Sequence, residues 1–90
     1  MGPVRWTCHA LANLSDREIE RSEADRCIAE PEAVETREDG RRLLMRRYFD
    51  RGLGQEMLIR VAVEDAPSEA VVVTVYKTSR FGKYLKGRAP

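Results

Sequence analysis

His9 is the only histidine in the chain and stands in Thr7-Cys8-His9-Ala10-Leu11, a stretch that reads as the opening of a helix. Imidazole is the one side chain whose ordinary pKa lies close to neutral pH. Far downstream, Val71 to Arg80 reads as a strand. It delivers Tyr76, Lys77 and Arg80, with Lys83 and Tyr84 close behind and no acid among them. One proton shuttle, a cluster of cations and two phenols suffice to cleave a phosphodiester without a metal. A base takes the proton of a nucleophilic hydroxyl, cations hold the charge building on the phosphoryl oxygens, and an acid protonates the leaving oxygen. Arg17 adds a guanidinium, whose fork matches two phosphate oxygens at once. Thr74 and Tyr76 share one face of the strand and Val73 and Val75 the other. A polar pair on so apolar a strand either satisfies a neighbour or lines a cleft. Tyr76 and Tyr84 also suit stacking on unpaired bases.

Each of these residues has a plainer use. His9 serves equally as a capping or packing residue, and Arg17 can bond the carbonyls that end a helix. Arg41, Arg42, Arg46 and Arg47 form a ladder of the kind that usually faces solvent. Cys8-His9 lacks the paired spacing of a zinc site, so neither metal nor cofactor is expected. Cys8 and Cys27 are too few for a disulfide framework and read as small buried apolar residues.

The elements that must position these groups follow from local signals. Val4 to Trp6 is short and extended, and Thr7 is a plausible N-cap for a helix from His9 to about Arg17. Ala10, Leu11 and Leu14 give that helix its apolar stripe, with Ile19 packing in the turn beneath. A second helix covers Arg21 to Glu30, burying Ala24, Cys27 and Ile28 at three- and four-residue spacing, and Pro31 ends it. Strands then run from Ala33 to Arg37, from Arg41 to Phe49, from Met57 to Glu64 and from Val71 to Lys77. Asp39-Gly40 makes a hairpin turn, Asp50 to Gly54 a loop, and Asp65 to Ser68 a turn. In the third strand Met57, Ile59, Val61 and Val63 share a face. The fourth is the most β-branched and is expected at the centre of the sheet. The whole is a single α+β domain over residues 1–90, two N-terminal helices packed on a four-stranded, mostly antiparallel sheet.

The net charge of +1 conceals an asymmetry. Residues 1–40 carry 10 acids against 5 Lys/Arg, whereas residues 41–90 carry 5 against 11. A polyanion would approach the C-terminal half and be repelled by the other. No signal peptide, lipidation motif or membrane-spanning run is evident, so a cytoplasmic protein is expected.

Taken in order, Thr7-Cys8-His9-Ala10-Leu11, Arg17-Glu18-Ile19, Glu30-Pro31-Glu32, Leu58-Ile59-Arg60-Val61, Val73 to Arg80 and Lys83-Tyr84 form a pattern over about Val4 to Leu85. It resembles a family of small prokaryotic proteins of unknown function grouped with the RelE-like and colicin-type ribonuclease toxins. The resemblance implies a RelE-like fold and metal-independent endoribonuclease activity through attack by the RNA 2′-hydroxyl. It places catalytic roles on His9, Arg17, Thr74 and Tyr76, with Lys77, Arg80 and Lys83 as substrate-binding cations, to which the stacking chemistry of Tyr84 adds a fourth substrate-binding residue. It also implies RNA and an antitoxin-like protein as partners. The alternative is a non-catalytic RNA- or protein-binding module of the same fold.

Overall fold

The computed structural model describes residues 3–85. In chain order the elements are β1 (Val4–Trp6), α1 (Cys8–Asp16), α2 (Arg21–Ala29), β2 (Ala33–Thr36), β3 (Arg42–Asp50), β4 (Gln55–Ala66), β5 (Glu69–Thr78) and α3 (Phe81–Tyr84). The class is α+β, as expected, but the sheet has five strands rather than four and is mixed. β1 is the added strand, and it pairs in parallel with β5 through Val4↔Ala70, Arg5↔Val71 and Trp6↔Val72. A partner so distant in sequence leaves no trace in a three-residue run. The order β1-β5-β4-β3-β2 puts β4, not β5, at the centre. A third helix, α3, follows β5.

β2 to β5 form an antiparallel meander whose turns match the local chemistry. Gly40 at φ 87° and Gly54 at φ 66° occupy the left-handed region at the first two hairpins, where glycine carries no Cβ penalty. α1 opens as expected, because the Thr7 hydroxyl accepts the Ala10 N–H at 3.1 Å. It closes in a Schellman-type arrangement: Glu18 N–H reaches Ser15 O and Ile19 N–H reaches Leu14 O. Glu18 itself takes φ 53° there.

α1 and α2 pack on the first face of the sheet. Ala10, Ile19, Ala24, Cys27 and Ile28 meet Leu44, Tyr48, Met57, Ile59, Val61, Val63, Val72 and Val75. Leu11 was expected in this stripe but is exposed, and Asn13 is buried in α1 instead. Cys8 is exposed as well, so only Cys27 fits the expectation of a buried thiol. On the second face a smaller cluster of Ala33, Met45 and Leu58 is covered by Phe81, Tyr84 and Leu85.

A bulge sets which residues of β5 face which way. Val63 pairs with Val72 and Ala62 with Thr74, so Val73 is an extra residue in the ladder. Val72 and Val75 therefore both enter the first-face core, rather than Val73 and Val75. Thr74 and Tyr76 stay together on the second face.

Candidate functional site

β1 covers β5 only as far as Val72, and beyond that point α1 completes the outer edge of the strand. The Asn13 side-chain oxygen accepts the Val75 N–H at 3.1 Å, and one turn later Arg17 donates to the Val75 carbonyl at 2.7 Å. Two side chains four residues apart thus replace a neighbouring strand at Val75. This occupies one nitrogen of the Arg17 fork. One turn before Asn13 on the same stripe, His9 is exposed. No hydrogen bond joins its ring to another of the described residues.

The second face is built around Arg60. The register aligns Met45, Arg60 and Tyr76 across β3, β4 and β5. Arg60 is only 3% exposed, and its Nη1 donates to the Tyr76 phenol oxygen. The guanidinium carbon lies 3.9 Å from the Tyr84 ring centroid and 5.3 Å from that of Tyr76, a doubly aromatic setting for a cation. Its Nε is buried with no partner among the described residues. Burial pushes the Tyr76 phenol above its ordinary pKa, against the pull of Arg60. It therefore keeps its proton at neutral pH. Guanidinium cannot accept, so the phenol hydrogen is left for another acceptor. Thr74 is half-buried on the same face, opposite Ala62. Arg80, which precedes α3, and Lys83 within it are exposed, and the Lys83 Nζ lies 5.3 Å from the Tyr84 centroid.

Lys77, next to Tyr76 in sequence, points to the first face and has a different fate. Its Nζ lies 2.7 Å from Asp50 Oδ2 and donates to the Glu18 carbonyl at 3.0 Å. Tyr48 donates to the same carboxylate oxygen at 3.0 Å. The hydrogen bond from Lys77, then those from Leu53 N–H and Tyr48, holds the Asp50 carboxyl down at about 2. The nearby cavity of about 160 Å³ is lined by Glu18, Glu20, Tyr48, Asp50 and Gly52, an acidic rim that disfavours a polyanion.

The model of the family described as Domain of unknown function (DUF4258) matches residues 6–77. The chain belongs to this family. No curated protein and no solved structure matches the chain, and none of these comparisons links the family to ribonuclease toxins. Within the DUF4258 span lie His9, Arg17, Arg60, Thr74, Tyr76 and Lys77. Arg80, Lys83 and Tyr84 lie beyond it.

Of the eight residues that the sequence singles out, the fold gathers Thr74, Tyr76 and Tyr84 on the second face, with Arg80 and Lys83 at its border. His9 and Arg17 sit on α1, which packs on the opposite side, and among the described residues no hydrogen bond joins either side chain to Tyr76. Lys77 is committed to Asp50. The residue missed is Arg60. Its signal was a lone cation in the otherwise apolar run Met57 to Val63, a position that demands a partner if buried.

Proposed function

We propose that this domain binds single-stranded RNA across the second face of its sheet and cleaves it without a metal, like the ribonuclease toxins its sequence resembles. The observation that carries this reading is where the cations lack carboxylates. Arg5, Arg21, Arg41, Arg42, Arg47, Arg51 and Lys77 each face an acid. Among the described residues Arg17, Arg26, Arg37, Arg46, Arg60, Arg80 and Lys83 do not; of these Arg60 alone is buried, and it and Lys83 lie against the Tyr84 ring, with Tyr76 on the other side of Arg60. Uncompensated cations beside stacking surfaces are what an unpaired polynucleotide requires.

In the cleavage step the 2′-hydroxyl oxygen bonds to phosphorus as the P–O5′ bond breaks, leaving a 2′,3′-cyclic phosphate and a 5′-hydroxyl. Tyr76, protonated at neutral pH, gives its proton to the departing oxygen, and the Arg60 N–H at the phenol oxygen steadies the phenolate. The 2′-hydroxyl proton passes to water, because His9, the base expected from the sequence, sits on α1 against the opposite face of the sheet from Tyr76. That separation favours a second reading in which the same face binds RNA and does not cut it. In the toxin reading, an antitoxin-like protein would present acids to this face.

The test is incubation with a mixed RNA pool in EDTA across a range of pH, beside Tyr76→Phe and His9→Ala proteins. Cleavage should persist in EDTA and fall by about 10²–10⁴-fold on loss of the phenol proton. Salt-sensitive binding without cleavage selects the second reading, and absence of binding at low salt removes both.

A further inference from the structure

We infer that Arg60 is the seat of a phosphate group, held beneath a lid formed by α3 and its Tyr84. This names the ligand moiety that the second face recognises, and it rests on the RNA reading for the source of that phosphate. The argument begins from two buried cations treated unequally. The Lys77 side chain is 14% exposed and is neutralised by Asp50 at 2.7 Å. Arg60 is buried more deeply, yet among the described residues it has no carboxylate. Its partners are a neutral phenol oxygen and two ring faces. Aromatic faces recover only part of the cost of desolvating a cation. A buried guanidinium with a spare N–H is a site short of one counter-anion.

The geometry selects the anion. Nη1 is taken by Tyr76, which leaves the opposite edge of the fork, Nε with the neighbouring Nη2, to meet two oxygens side by side. A phosphate offers several oxygens and a full charge for that pair of donors. Arg80 and Lys83 at the border draw a polyanion toward the site.

α3 controls entry. It is four residues long, its N-cap makes no side-chain bond, and none of its residues is fully buried. Phe81 and Tyr84 nevertheless close the second-face cluster, with the Tyr84 ring stacked on the guanidinium. So short an element, held by half-buried side chains, belongs to the least stable part of the fold. Tyr84 must swing aside for phosphate to reach Nε.

Arginine Nε–H resonances of the full chain, followed by ¹H–¹⁵N spectroscopy during titration with inorganic phosphate against chloride of equal ionic strength, test this directly. One resonance, identified by its absence from Arg60→Lys, should shift saturably with phosphate and not with chloride. In Tyr84→Ala the same shift should come at lower phosphate concentration. An Arg60 signal that ignores phosphate in both wild type and Tyr84→Ala, or follows chloride equally, overturns the subsite. A single-stranded RNA oligomer titrated in parallel separates the two claims. RNA binding with a silent Arg60 signal overturns the subsite alone. A phosphate response without RNA binding supports the subsite and overturns only RNA as its source.

Discussion

Replacing Lys77 with methionine should cost stability and leave RNA affinity intact. Lys77 and Asp50 are a buried pair with side-chain exposures of 14% and 7%, and the pair ties β5 to the end of β3 and to the Glu18 carbonyl. Asp50 is held at about 2 against an ordinary 3.8, first by the Lys77 hydrogen bond. At about 1.4 kcal/mol per pH unit, that gap contributes roughly 2–3 kcal/mol. Because the folded value is depressed, this contribution is complete above pH 3.8 and disappears as the pH falls toward 2. Removing one partner of a buried pair costs about 3–5 kcal/mol. The low end is expected here, since Asp50 keeps its bonds from Leu53 N–H and Tyr48. Urea unfolding at neutral pH should therefore show Lys77→Met less stable by about 3 kcal/mol. Its stability should also fall less steeply than that of wild type below pH 3.8. Adding Asp50→Asn should restore part of the loss, because the orphaned carboxylate is removed. An unchanged urea midpoint together with an unchanged acid limb would refute the reasoning. Lost RNA affinity at unchanged stability would return Lys77 to the ligand-binding role that its sequence position suggests.

Asn13→Ala leaves the Val75 N–H without its acceptor and should cost about 1–3 kcal/mol in urea unfolding. Arg17→Ala should cost less, because water can reach the carbonyl that the exposed guanidinium serves. Glu18→Gly relieves a φ of 53° and should raise stability by roughly 0.5–1 kcal/mol, read as a higher unfolding midpoint; a lower midpoint would contradict this. Under native conditions an alkylating reagent should modify the exposed Cys8 alone. Burial pushes the Cys27 thiol up to about 12, so it should react only after denaturation, and early modification of both thiols would contradict its placement in the core.

Signals within a few residues of one another were readable in the chain. Thr7 caps α1, the spacing of Ala24, Cys27 and Ile28 forms the buried face of α2, and Asp39-Gly40 turns the first hairpin. The alternation Met57, Ile59, Val61, Val63 fixes which side of β4 meets the helices. Caps, turns and hydrophobic periods are local physics, and their geometry follows from backbone sterics and from which side chains leave water. The shared face of Thr74 and Tyr76 was legible for the same reason.

Other features depend on contacts between distant segments. β1 finds its place by pairing with β5, and Thr7 reaches Val72 across 65 positions. The bulge at Val73 exchanged one valine for another in the core, which strand alternation alone does not anticipate, because a one-residue slip reverses every side chain beyond it. Lys77 went to Asp50 instead of to a ligand, and Arg17 gave a nitrogen to the edge of β5. Arg60, given no role of its own in the linear chain, became the centre of the second face. Residue types set what chemistry the chain could perform. Long-range register decided which charges were neutralised and which were left without a partner.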